Sequence, residues 1–246
     1  MQKLFNWLCI AVLSVSTVQL YAADSFGNPK DPVVAEVLGL QLRTKNPEEM
    51  QFVIFQKLMQ NYAKQHNIAA TQKDIELYIA KMDRFMREDR KKQDVRRGEI
   101  QQQLKPGSLP PAQKKQLQSE LNTLESLHQF DLQEDRESKQ DPKAALRDKQ
   151  AVARPFIEQW MINKALYQQY GGRIIYQQIG PEPLDAMHDY LKEQQQKGSF
   201  KILEKSFEVP FWEYFVNDNK HNFFKQGSRE EKLAFDTPPW LQKQSE

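Results

Sequence analysis

The chain has 246 residues, with 35 Lys and Arg against 33 Asp and Glu, for a net charge of +2. So even a balance argues against a nucleic-acid binder, which carries a basic excess on one face. Few Gly, modest Pro and abundant Gln, Lys, Glu and Leu favour helices, and the length allows one large domain or a compact domain with an extension.

Lys3 precedes an apolar run from Leu4 to Leu20, and Ala22 and Ala23 follow. This is the layout of a secretory signal peptide over residues 1–22, cleaved after Ala22. Asn6, Ser14, Ser16 and Thr17 interrupt the run, which argues against a permanent membrane span. Cleavage removes Cys9, the only cysteine, and leaves neither a disulfide nor a thiol nucleophile. A soluble protein exported to a periplasm is expected.

Residues 24–32 read as a flexible leader. Val33 to Thr44, VVAEVLGLQLRT, reads as extended chain with a turn at Gly39. Asn46-Pro47-Glu48-Glu49 caps a first helix carrying Met50, Val53, Ile54, Leu58 and Tyr62, and Asn67 stops it. Thr71 and Asp74 open a second helix with Ile75, Tyr78, Ile79, Met82, Phe85 and Met86 at helical spacing. Two capped helices with a short link predict an antiparallel pair.

Residues 87–149 are a charged arm. Leu117, Leu121, Leu124 and His128 form a thin stripe suited to two helices, and residues 131–150 read largely as loop. A third apolar helix is predicted over 143–170, kinked or restarted at Pro155, folding back onto 46–86. The main domain is thus 23–86 plus 150–246, with the arm inserted.

The lead-in VVAEVLGLQLRT followed by QKLMQNYAKQHNIAATQKDIELYI resembles the N-terminal chaperone domain of the SurA group of periplasmic foldases. Asn67-Ile68, Thr71 and Asp74-Ile75 stand where that group has its inter-helix link and its acid-opened second helix. The resemblance implies a mainly α, SurA N-terminal-like domain, completed by a later helix for which residues 150–170 are suited. Members of the group often carry a parvulin prolyl-isomerase domain between these parts. Residues 87–150 lack the alternating β-branched runs of its sheet, so the resemblance implies the chaperone part alone.

Tyr170 to Leu191, YGGRIIYQQIGPEPLDAMHDYL, contains no phosphate-loop pattern. Gly171-Gly172 end the long helix, Arg173 to Gln178 read as a strand, and Leu184, Met187, His188 and Leu191 line one helix face. Phe200, Ile202 and Leu203 are expected to pair with Ile174 to Tyr176 as a small hairpin. Asp185, His188 and Asp189 on neighbouring turns, with Glu182, Glu213 or His221 approaching, are the alternative metal or acid–base constellation. No nucleophile motif appears, and no cofactor is expected.

The C-terminal part is rich in aromatics, which serve either as core or as a surface for apolar polypeptide. Phe52, Phe55, Phe85, Trp160, Trp212 and Phe215 are the candidate peptide-binding residues, with Met50, Met59, Met82 and Met86 as adaptable area. The expected function is chaperone-like binding of unfolded or outer-envelope polypeptides without catalysis. The alternatives are a prolyl-isomerase-related foldase or metal-assisted hydrolase, and a structural adaptor acting through the arm, residues 87–130.

Overall fold

The computed structural model describes residues 25–105, 109–177 and 180–242. The expected signal peptide, 1–22, lies outside them. The fold is mainly α with small sheets. The described residues form two compact units. One runs to Leu58 and takes in Gln194–Tyr214; the other holds Met59–Glu193 and the chain from Phe215 onwards. These borders differ from the expected junctions at 86/87 and 149/150.

The first unit is built on a four-stranded sheet of β1 (Ser25–Gly27), β2 (Val33–Val37), β3 (Leu40–Arg43) and β6 (Phe200–Ile202), in the order β1-β3-β2-β6. Leu38 and Gly39 both adopt positive φ, the two-residue turn that matches the twist of an antiparallel pair. The expected leader is not free chain. Its Ser25–Gly27 runs parallel to β3, while the Arg43 guanidinium donates to the Asp31 carbonyl at 3.0 Å. β6 pairs with β2, Ala35 opposite Ile202 and Val37 opposite Phe200, and not with residues 174–176 as expected. A three-residue strand holds too few side chains to specify its partner, so register is set by the buried face. Val34, Ala35, Val37, Leu42 and Phe200 are that face.

Helix α1 (Pro47–Gln65) begins in this unit. Asn46 Oδ1 accepts from the Glu48 N–H at 2.9 Å, while the Glu49 carboxylate accepts from the Thr44 hydroxyl. Met50, Val53, Ile54 and Leu58 form its buried stripe. Helix α6 (Glu208–Val216) starts here too, and its Phe211 ring meets Phe200 at 5.4 Å.

In the second unit, Asn67 stops α1 at φ 52°, as its sequence suggests. Helix α2 (Gln72–Leu104) then opens where Thr71 Oγ1 accepts from the Asp74 N–H at 3.1 Å. It does not stop near residue 86 but continues through the charged stretch for about 50 Å at 1.5 Å per residue. Helix α3 (Pro111–Gln140) returns along it: Arg96 bonds Glu120 at 2.7 Å, and Arg90 bonds Glu134 and Asp135 at 2.8 and 2.9 Å. Ile100, Leu117 and Leu121 seal the far end of this arm, flanked by Leu104, Leu109 and Leu124.

Residues 131–150 are helical apart from Asp141, where a loop was expected. Asp141 caps helix α4 (Pro142–Tyr170) by accepting from the Ala144 N–H at 2.8 Å. Asp83 with Lys149 and Tyr78 with Phe156 show that α4 also runs antiparallel to α2. Pro155 sits within α4 without interrupting the helix, where a kink or a new start was predicted.

The core of this unit is aromatic. Trp160 meets Trp240 at 5.5 Å and Phe235 at 6.3 Å, with Ile75, Ala153, Ile157 and Ile174 around them. A hairpin of β4 (Ile175–Gln177) and β5 (Gly180–Glu182) leads to helix α5 (Leu184–Gln196), which crosses into the first unit. Helix α7 (Arg229–Leu233) precedes the last residues of the core.

Candidate functional site

The turn after α4 is held by one cation. Arg173 donates from Nε and Nη2 to the two oxygens of Asp185 at 2.9 and 3.0 Å, and from its backbone N–H to the same carboxylate at 2.8 Å. Nη1 reaches Asp218 at 2.7 Å, and the guanidinium lies 4.4 Å from the centre of the Phe223 ring. A bidentate pair of this kind fixes geometry as well as charge. Hydrogen bonds to both carboxylates, stronger than the cost of burial, raise the Arg173 pKa further.

That arrangement answers for Asp185 in the alternative constellation. Both its oxygens are engaged by Arg173. His188 is half-buried, with Nδ1 3.4 Å from Asp189 and its ring 6.4 Å from Phe215. Among the described residues, no group of three or more His, Cys, Asp or Glu is placed to hold a metal ion. Of the residues that carried the metal reading, Asp185 serves here to fix a turn.

A second polar cluster lies where α1 ends. Tyr62 donates to Gln169 at 3.0 Å, stacks on His66 at 4.1 Å and meets Tyr190 edge-on at 5.2 Å. Burial, and then the hydrogen bond to Glu193, push the Tyr170 hydroxyl well above its ordinary pKa; burial does the same for Tyr190. Burial thus favours the neutral phenol at both residues, and the Tyr170 hydroxyl donates to the Glu193 carboxylate.

The six aromatic candidates fall into different environments. In the first unit Phe52 is 63% exposed, while Phe55 and Trp212 are half-buried. Trp212 lies edge-on to Phe211, and Gln51 Nε2 donates to the Phe211 carbonyl at 2.6 Å. In the second unit Phe85 is 52% exposed, whereas Trp160 and Phe215 are only 7% and 6% exposed. Trp160 therefore works as core, covered by Phe235 and Trp240. Of the methionines, Met50 and Met59 are buried, and Met82 and Met86 are open.

One open apolar strip of the second unit lies on α2 and α4. Tyr78, Met82 and Phe85 follow i, i+4 and i+7 spacing and so share one face of α2. Val152 and Phe156 do the same on α4, and the Tyr78–Phe156 stack at 6.0 Å joins the two stripes. Separately, the arm carries a shallow polar hollow of about 550 Å³ between α2 and α3, lined by Arg97, Gln101, Asn122, Glu125 and His128.

Two structural features escaped the sequence reading. The Arg173 node was hidden because its partners lie 12 and 45 residues away. The outward cations of α2 were hidden in RFMREDRKK, which reads as an undivided charge run until the helical period sorts it. Among the described residues, no helix is long and apolar enough to cross a membrane. No family model matches the chain, and no curated protein or solved structure matches it either.

Proposed function

We propose that this is a periplasmic chaperone-like protein that holds unfolded or envelope polypeptides by their apolar side chains, without catalysis. The supporting observation is the open strip of Met82 and Phe85 on α2 with Val152 and Phe156 on α4. Large apolar side chains left in water at helical spacing gain free energy when a client covers them, about 1.5–3 kcal/mol for each one fully buried. Met and Phe suit varied clients because they repack without strict geometry. A shallow strip gives modest affinity per client segment, which allows release. The resemblance of residues 33–79 to the SurA-type chaperone domain points the same way, and the leader of the chain suits export to a periplasm.

The test is suppression of client aggregation and binding of unfolded peptides by the purified protein, followed by anisotropy. Replacing Met82 and Phe85 together by Ser is expected to weaken peptide binding about tenfold, equivalent to losing the burial of part of two side chains. Both side chains are exposed, so the melting temperature should hardly change. Absence of peptide binding in the unmodified protein, or unchanged binding in the double variant, would refute this reading.

A further inference from the structure

We infer that the outward face of α2 selects client segments that combine acidic with apolar residues. This inference rests on the polypeptide-binding reading above and names the chemistry of its partner.

The cations of α2 are of two kinds. Arg90, Arg96 and Arg97 are held by carboxylates: Asp131, Glu134 and Asp135 for the first, Glu120 for the second, Asp94 for the third. Arg84, Arg87, Lys91 and Lys92 are all exposed. None of these four has a carboxylate within 4.0 Å among the described residues, while the neighbouring acids are engaged elsewhere: Asp83 with Lys149, Asp89 with Gln93, Asp94 with Arg97. Glu88, half-buried, is the remaining acid in the stretch. The face is therefore locally basic although the chain as a whole is nearly neutral.

Helical geometry lines these cations up. At about 100° per residue, positions 84, 87, 91 and 95 share one face. Arg84 stands at one end and Val95, 64% exposed, at the other. The rise from 84 to 95 is about 16 Å, the reach of roughly five residues of extended polypeptide. Alternate side chains of such a segment are spaced about 7 Å apart on one side. That is close to the rise of about 6 Å from Arg87 to Lys91. Acidic residues at alternate positions can thus meet successive cations, with an apolar neighbour covering Val95. The opposite side of α2 is occupied by α3 and α4, so the face is a narrow convex strip. A membrane surface requires a broad apolar face embedded in the interface, and a strip with so few apolar side chains offers little to embed. An acidic, apolar polypeptide fits it better.

Three fluorescent peptides of about 12 residues, of equal apolar content, with Glu, Gln or Lys at alternate positions, test this by anisotropy against the purified protein. The Glu peptide should bind about tenfold tighter than the Gln peptide at low salt, as expected for several exposed ion pairs acting together. The advantage should vanish near 0.5 M salt, roughly where screening extends over only a few ångström. Arg84→Glu, Arg87→Glu and Lys91→Glu combined should reverse the preference towards the Lys peptide. The same kind of reversal at the exposed Lys114 and Lys115 of α3 should leave it intact. Circular dichroism on each variant verifies that the helices persist. Equal binding of Glu and Gln peptides overturns the selection and leaves the chaperone reading standing. No binding of any peptide removes both. Charge-dependent binding to phosphatidylglycerol vesicles, without peptide preference, assigns the face to lipid and overturns the inference.

Discussion

Gly172 is the residue on which the Arg173 node turns. It sits at φ +87°, and a Cβ placed there would lie 2.4 Å from the Asp185 Cβ. Neither the backbone nor the neighbouring side chain can yield without losing the clamp on Asp185. Gly172→Ala is expected to destabilise by about 2–3 kcal/mol, read as a lower urea midpoint at unchanged slope. An unchanged midpoint would mean that the turn relaxes freely. The same node carries a pH signature. Burial pushes the Asp185 carboxyl up, but hydrogen bonds from the Arg173 side chain and backbone outweigh it and hold the group below its ordinary pKa. The unfolded value lies near 4, so the folded form binds fewer protons in this range. Its stabilisation is complete above about pH 5 and is lost as pH falls through roughly 4 towards the lowered value. The stability difference between the natural protein and Asp185→Asn should therefore shrink on the acid side; a difference constant from neutral to acid pH would contradict the assignment. Sequence alone marked Gly171-Gly172 as a helix stop, and that reading holds. It could not reveal why Gly172 admits no other residue, because the obstacle comes from a helix 13 residues further on.

At the scale of elements, the helix boundaries written in local chemistry were legible, and those set by distant contacts were not. Asn67, Thr71 with Asp74, and Gly198 mark ends through their own backbone or side-chain bonds. The loop expected at 131–150 fails for a physical reason. Its charged residues are good helix formers, and a helix facing water needs no apolar pattern once a neighbour pins one side. Arg90 does that pinning, bridging Asp131, Glu134 and Asp135. The pairing expected between residues 174–176 and 200–203 fails because two three-residue strands carry no register information of their own. The arm depends on a small core, and this makes it separable in stability. Ile100→Ala removes a fully buried side chain between Leu117 and Leu121 at an expected local cost of about 2–4 kcal/mol. Hydrogen exchange should speed up across residues 96–125, while amides beside Trp160 keep their protection. Loss of protection at both places would show that the arm and the aromatic core unfold together.

At the scale of the whole molecule, the aromatic excess of the C-terminal part resolves mainly into core. Periodicity placed Trp160 and Phe85 on helical stripes but not which of them meets solvent, since each helix face is decided by what returns to cover it. For Trp160 that cover is the end of the chain. Trp240 is buried between Tyr78 and Trp160, its Nε1 donates to Asp74 at 3.3 Å, and Lys81 Nζ donates to the carbonyls of Pro239 and Gln242. Residues 166 apart thus meet at the first turn of α2, and nothing in either local sequence announces it. Trp240→Ala should cost about 3–5 kcal/mol, because a large ring leaves a cavity that a short terminal segment cannot refill. Trp240→Phe keeps most of the buried area and loses the bond to Asp74, so its cost should be about 1 kcal/mol. The Ala variant should also bind a hydrophobic dye more strongly, since Trp160 and Tyr78 become open to water. If both variants melt with the unmodified protein, the C-terminal segment is not the lid of this core, and Trp160 returns to the set of side chains available to a client.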